Sequence, residues 1–249
     1  MNTSAKSNRY NGKTLVIAGP TGSGKTGIAI EIAKCINGEI ISADSRTIYE
    51  GMDVGTAKPT LEEMNGVPHF GIDIVLPGER FTVADWKEYA EQKIEEIKDR
   101  DHVPIICGGT GLYIDSLVYD YHFESNNCKD RDEMCSNFLI IGIQWSPEDL
   151  RERLRKRLEQ MFCSDLYEET KQLVERYGWD SQAMKSNIYQ FAWRYMNHEL
   201  TLEQAKELAL FDDWHLAKRQ MTWFRRNEQI VWLPLEKVKP YVLKYMKYE

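Results

Sequence analysis

Gly19-Pro20-Thr21-Gly22-Ser23-Gly24-Lys25-Thr26 is a complete G-x-x-x-x-G-K-T loop. It follows the apolar run 14–18 and precedes residues 27–36, where apolar side chains recur at helical spacing. In such a loop the glycines let successive backbone N–H groups point at phosphate oxygens, and the following helix adds the positive end of its dipole. Lys25 can neutralise phosphate charge and Thr26 can hold Mg²⁺. The stretch therefore predicts a di- or triphosphate site and leaves open what the phosphates are attached to.

Short apolar runs alternate with amphipathic segments, which is typical of a parallel sheet covered by helices. The predicted strands are 14–18, 39–43, 104–107, 138–144 and 230–233. Helix starts are indicated at Thr82, Ser146 and Thr201, each a capping residue ahead of an acidic or amide side chain.

We therefore expect an α/β fold with a P-loop NTPase-like parallel sheet flanked by helices. A core over 12–145 is followed by a mostly helical half over 146–249, whose late strand at 230–233 returns to the sheet, so that the two form one structural unit. The polar stretch 124–137 is predicted to be a loop.

Composition limits the classes of protein that this chain can belong to. The net charge of −7 argues against non-specific nucleic-acid binding by the whole surface. Basic runs at 151–157 and 218–226 are either local patches or solvated helix faces. No apolar stretch is long enough for a bilayer and residues 1–11 are polar, so we expect a cytosolic protein without a membrane partner. Five cysteines without a C-x-x-C pair favour free thiols over disulfides or a zinc site.

A second candidate site lies where the apolar run 39–43 ends in Asp44. Ligands of open parallel sheets bind beyond the carboxyl ends of the strands, so Asp44 should lie beside the phosphate loop. It could act as a general base, assist a Mg²⁺ ion from its second shell of ligands, or simply cap the next turn. The glycine-rich segment 107–111 ends another strand and allows a tight turn beside a substrate.

Taken together these segments resemble the tRNA dimethylallyltransferases, also called tRNA isopentenyltransferases. The stretches that carry the resemblance are GPTGSGKT (19–26), ISADSRTIYEGMDVGTAKP (41–59), VPHFGIDIV (67–75), ICGGTGLYI (106–114), IGIQWSPEDLRERLRKRLEQM (141–161) and LAKRQMTWFRRNEQIVWL (216–233). They follow the order of the family and cover most of the chain.

The resemblance implies transfer of a dimethylallyl group from dimethylallyl diphosphate to N6 of the adenosine 3′ of the anticodon in tRNA. It implies that the phosphate loop holds the diphosphate with Mg²⁺ and that Lys25 and Asp44 are catalytic, with Asp44 as the general base. It further implies that tRNA is contacted by Asp44, Ser45, Arg46, Thr47 and Thr110. The partners are then the anticodon loop of tRNA and the diphosphate donor, and we expect a monomer.

The chain differs from the family pattern in three places. Relatives have a long helical insertion where this chain has only the short polar stretch between Phe123 and Phe138. Thr47 stands in place of a glutamine, and Asp213-Trp214 stands in place of Thr-Arg, whose arginine binds diphosphate in the family.

Two alternatives to the transferase remain open. One is a small-molecule or nucleotide kinase, because the arginines in 151–157 resemble the lid helix of such enzymes. A kinase would hydrolyse ATP or transfer phosphate from it, whereas a prenyltransferase would not. The other is an RNA-binding or regulatory paralogue that lacks efficient catalysis.

Overall fold

The computed structural model describes residues 12–123, 134–181, 183–184 and 188–246. Within these ranges, six parallel strands form one sheet surrounded by nine helices. The strands are β1 (Thr14–Ala18), β2 (Gly38–Ser42), β3 (His69–Phe70), β4 (Val103–Gly108), β5 (Phe138–Gln144) and β6 (Val231–Pro234). The helices are α1 (Lys25–Ile36), α2 (Leu61–Met64), α3 (Val83–Asp99), α4 (Gly111–Val118), α5 (Pro147–Phe162), α6 (Leu166–Tyr177), α7 (Ile188–Met196), α8 (Leu202–Phe224) and α9 (Leu235–Tyr245).

The strand order β3-β2-β4-β1-β5-β6 places β1 inside the sheet, paired with β4 on one side and β5 on the other. The chain leaves β1 towards β2 and only later crosses to β5. The end of β1 is therefore a topological switch point, where open α/β sheets form a ligand crevice. Because all pairings are parallel, the loops that follow β1, β2 and β4 meet at this one edge.

The central strands are mostly apolar because both faces of the sheet are covered. On β1, Leu15 and Ile17 point into a core layer under α1 and α9, whereas Val16 and Ala18 point into a layer under α3 and α4. All four side chains are buried.

The sequence predictions of secondary structure are confirmed within about one residue at most ends. The strands predicted at 14–18 and 138–144 have those bounds, and the other three differ from their predicted bounds by one residue at each end. Thr82, Ser146 and Thr201 are the N-caps of α3, α5 and α8, and each side chain accepts the backbone N–H three residues on. The strand β3 was not predicted, since two residues carry no periodic pattern. Of the predicted loop 124–137, residues 124–133 lie outside the described residues.

The helices α5 to α8 have a core of their own, which includes Leu166, Leu173, Tyr189 and Phe191. Met52, from the loop that follows β2, is buried in the same cluster. The helical half thus packs directly on a loop at the carboxyl edge of the sheet. None of the described helices combines the length and apolar character that a bilayer crossing requires.

Candidate active site

The phosphate loop connects β1 to α1 and has the shape that its glycines allow. Gly22 and Gly24 have φ angles of 75° and 86°, a region that L side chains rarely adopt. The indole Nε1 of Trp145 donates to the Ser23 carbonyl at 3.0 Å, which anchors the loop from the end of β5. The first N–H groups of α1 have no partner within the helix and point at the space in front of the loop.

Lys25 begins α1, and its side chain turns back over the loop. Its Nζ donates to the Pro20 carbonyl at 2.8 Å. Burial lowers the pKa of Lys25, while the neighbouring Asp44 carboxylate acts in the opposite direction. Burial also raises the pKa of the Cys107 thiol to about 11, so this thiol is neutral at pH 7. A bound diphosphate would raise the pKa of Lys25, since an opposite charge favours the protonated form.

Two cavities open at the carboxyl edge of the sheet. The first cavity, of about 420 Å³, is lined by Lys25, Thr26 and other phosphate-loop residues together with Asp44. The second cavity, of about 510 Å³, lies on the side of α4 and α8. The residues common to both linings are Thr21, Asp44, Thr56, Arg157 and Gln220. A group bound on one side can therefore meet a group bound on the other side beside Asp44.

Asp44 is held by the backbone of two strand ends. Its Oδ1 accepts the Arg46 N–H at 2.9 Å. Ala43, the residue before it, donates to the Cys107 carbonyl at 2.8 Å and accepts from the Thr110 N–H at 3.0 Å. At Gly108 an added Cβ would lie 2.1 Å from the Ala43 oxygen, so only glycine permits this approach. The position of the carboxylate is thus fixed by β2 and β4 together.

The residues predicted to contact RNA are divided between the two cavities. Ser45, Arg46 and Thr110 line the second cavity, and the Ser45 N–H donates to the Thr110 hydroxyl at 3.0 Å. Burial lowers the pKa of the Arg46 guanidinium, which the nearby Asp44 opposes. Thr47 instead lines the first cavity, is buried, and shares a hydrogen bond of 2.9 Å with the Ser42 hydroxyl.

Two arginines of the run 151–157 join the phosphate loop, which the sequence analysis did not predict. On α5, Arg153 donates through Nε to the Gly22 carbonyl at 2.8 Å, and Arg157 donates to the Thr21 hydroxyl at 2.7 Å. Both line the first cavity. Arg155 points away and pairs with Glu152. The spacing of four residues between the two inward arginines was the available signal, because such residues share one helix face.

Gln220 of α8 was also missed, and it bridges the two halves of the site. Its Oε1 accepts the Thr21 N–H at 2.8 Å, and its Nε2 donates to the Gly109 carbonyl at 3.0 Å. The amide therefore links the loop after β1 to the loop after β4. A glutamine within an amphipathic helix carries no sequence signal of such a role.

Trp214 lines neither cavity. It packs with Leu150 and Leu154 of α5 and Ala217 of its own helix, and the Lys218 ammonium lies 5.8 Å from its ring centroid. The preceding Asp213 does line the second cavity. Burial raises the pKa of Asp213, an effect that Arg157 opposes. The cations beside the phosphate loop are consequently those of α5, while Trp214 is a packing residue.

Comparisons with known proteins agree with this geometry. A sequence model of the IPP transferase family matches residues 47–137 and 122–227. The tRNA dimethylallyltransferase of Acetivibrio thermocellus is 37% identical over 284 aligned positions, which cover 88% of this chain and 90% of that protein. The enzyme of the same name from Bacillus subtilis is 33% identical, over 89% of this chain and 90% of its own length.

Two solved structures have the same fold. The tRNA isopentenylpyrophosphate transferase of Bacillus halodurans superposes with a TM-score of 0.85 at 29% identity, covering 95% of this chain and 97% of that one. The tRNA delta(2)-isopentenylpyrophosphate transferase of Staphylococcus epidermidis gives a TM-score of 0.83 at 32% identity, over 95% and 100% of the two chains. The two matches to the family model overlap in 122–137, which contains the polar stretch 124–137.

Proposed function

The chain belongs to the IPP transferase family, and from this we infer that it is a tRNA dimethylallyltransferase, an enzyme that prenylates tRNA. We propose that the group is taken from dimethylallyl diphosphate and transferred to N6 of the adenosine 3′ of the anticodon. The kinase and the non-catalytic paralogue are correspondingly disfavoured, since the curated relatives that cover most of this chain are transferases.

One observation carries the proposal: Asp44 lines both cavities, and the phosphate loop lines the first. A donor held by its diphosphate on the loop would extend its allylic carbon towards Asp44. An adenine in the second cavity would bring N6 to the same carboxylate. Such placement of two reactants supplies much of the rate enhancement of a bimolecular reaction.

In the reaction, the bond between the allylic carbon and the bridging oxygen breaks, and the diphosphate leaves with the electron pair. Negative charge therefore grows on the diphosphate, where Lys25 and the N–H groups at the start of α1 can stabilise it. Arg153 and Arg157, which border the same cavity, can neutralise the remaining charge. N6 forms the new bond to carbon, and its proton passes to Asp44.

The residues beside the phosphate loop fit a Mg²⁺ ion. The Thr26 hydroxyl lines the first cavity and is an oxygen ligand of the kind that Mg²⁺ prefers. Phosphate oxygens and water usually complete such a site, so no cluster of protein carboxylates is needed. When bound, the ion would stabilise the charge of the leaving diphosphate.

The second cavity would receive the adenosine, which must leave its stack in the loop to reach Asp44. Ser45, Arg46 and Thr110 line this cavity and would contact the base or its backbone. Both cavities are built from one chain, so we propose that a monomer suffices.

Nucleoside mass spectrometry tests the proposal. A strain without other tRNA prenyltransferases should regain N6-prenyladenosine in its tRNA when it expresses this protein, and the Asp44→Asn variant should restore far less. Purified protein should at the same time show no ATP hydrolysis above a blank. If the folded wild-type protein leaves the tRNA unmodified, the proposed function is refuted.

A further inference from the structure

A single carboxylate, that of Glu169, binds three consecutive backbone N–H groups. Its Oε2 accepts from Asp53 at 3.0 Å and from Val54 at 2.8 Å, and its Oε1 accepts from Gly55 at 3.0 Å. The Tyr189 hydroxyl donates to Oε1 as well, at 2.6 Å. Glu169 lies on α6 and Tyr189 on α7, whereas the bound amides belong to the loop after β2. The helical half thus grips a loop of the sheet half through three hydrogen bonds, and Tyr189 donates a fourth to the same carboxylate from within the helical half.

The Tyr189 ring packs directly against the same loop. Tyr189 is fully buried, and a Cβ added to Gly55 would lie 2.3 Å from its Cζ. Burial and the adjacent Glu169 raise the pKa of Tyr189, so the hydroxyl remains a neutral donor. Hydrogen bonds to an ionised acceptor are roughly twice as strong as neutral ones.

Lys58 fixes the other end of the same loop. Its side chain is 5% exposed, and its Nζ donates to the Tyr49 carbonyl at 3.0 Å. It also pairs with Asp53 and Asp73, at 2.5 Å each. These contacts lie within the sheet half, so Glu169 supplies the restraint from the helical half.

The gripped loop forms a wall of the reaction space. Thr56 lines both cavities, Gly55 lines the second and Ala57 the first. Glu169 and Tyr189 line neither cavity. Glu169 can therefore affect the two reactants through the segment that it holds.

We propose that Glu169 is a positioning residue for prenyl transfer: by binding the amides of residues 53–55 it sets the wall at Thr56 against which the allylic group and the adenine are aligned. This inference rests on the proposed function. The diphosphate is held elsewhere, on the phosphate loop, so its binding should not depend on Glu169.

Glu169→Gln is the test variant and Glu168→Gln is its matched control. Glutamine keeps the shape of Glu169, but its NH₂ group replaces an oxygen that accepts hydrogen bonds. This NH₂ group must then face N–H or O–H groups that are donors themselves. Glu168 is the neighbouring acid on α6, is exposed, and accepts a hydrogen bond from the Gln172 side chain at 2.9 Å. Both changes remove one negative charge from the same helix.

Glu169→Gln should lower kcat for prenyl transfer on the order of 10- to 100-fold, the cost of a small misalignment of reactants. Its affinity for inorganic pyrophosphate should stay within about twofold of wild type, which a general loss of structure would not allow. Hydrogen–deuterium exchange should show faster exchange of the amides of residues 53–55. Glu168→Gln should match wild type in all three measurements.

Tyr189→Phe keeps the ring beside Gly55 and removes one of the four hydrogen bonds, so it should reduce kcat by a smaller factor. If Glu169→Gln does not fold, this variant decides: unchanged kcat in Tyr189→Phe would overturn the inference. So would unchanged kcat in a folded Glu169→Gln protein, or a loss of pyrophosphate affinity as large as the loss of rate. Absence of transfer by wild type would instead overturn the proposed function.

Discussion

Gly108→Ala tests whether the contact between β4 and the end of β2 sets the position of Asp44. The new Cβ would lie 2.1 Å from the Ala43 oxygen and 2.3 Å from the Ala43 carbonyl carbon. Carbon and oxygen rarely approach closer than about 3.3 Å, so the chain at Ala43 must move by about 1 Å. The obstacle is backbone, held by hydrogen bonds to Cys107 and Thr110, and cannot rotate away.

Asp44 follows Ala43 directly and should move with it. A misplacement of this size costs about 100-fold in rate, whereas overpacking costs about 1–3 kcal/mol of stability. Single-turnover transfer from labelled dimethylallyl diphosphate to an anticodon stem-loop measures the first quantity, and urea unfolding measures the second.

Gly38→Ala is the control for stability alone. Its Cβ would lie 2.6 Å from Ile105 Cδ1, at the opposite end of β2 from Asp44. It should therefore lower stability and leave the rate of transfer near wild type. A folded Gly108→Ala protein that transfers the group as fast as wild type would refute the argument that this strand contact positions the base.

Three further predictions concern single side chains. Asp44→Asn should lower single-turnover transfer by ~10²–10⁴-fold with little change in RNA affinity by filter binding, and an equal loss of both would make Asp44 a binding residue. Trp214→Arg should lower the free energy of unfolding, measured in urea, by about 2 kcal/mol, because it places a charge in the packing between α5 and α8. A lower Michaelis constant for the donor would instead show that this position faces the diphosphate. Burial alone would raise the pKa of Glu39, but hydrogen bonds from Arg100 and His102 outweigh it and lower this pKa below 4.5. The stability that ionised Glu39 contributes is therefore present above pH 4.5 and is lost as pH falls through the folded-state pKa. Glu39→Gln should lower the free energy of unfolding by about 2 kcal/mol at pH 7, and by progressively less in acid. A loss of stability that does not depend on pH would contradict the ion pair.

The sequence by itself determined the sheet, the phosphate loop and the place of Asp44. These follow from local rules: strands buried on both faces are continuous apolar runs, glycines at 22 and 24 permit a left-handed backbone, and parallel strands bring their carboxyl ends to one edge. Helix starts at Thr82 and Thr201 were equally readable, since a capping box joins residues only three apart.

Tertiary structure alone decided which long-range partners complete the site. Arg157 reaches Thr21 across 136 positions of sequence, Gln220 reaches Thr21 across 199, and Glu169 reaches Asp53 across 116. From sequence, the arginines of 151–157 could be interpreted as a solvated helix face or as a lid helix. A helical pattern specifies which side chains share a face, but not which part of the protein that face contacts. The resemblance predicted that Trp214 replaces a diphosphate-binding arginine of the family, whereas its contacts with α5 make it a packing residue. Contacts of this kind arise from the packing of whole helices and strands against one another. The local sequence around each contacting residue therefore does not predict them.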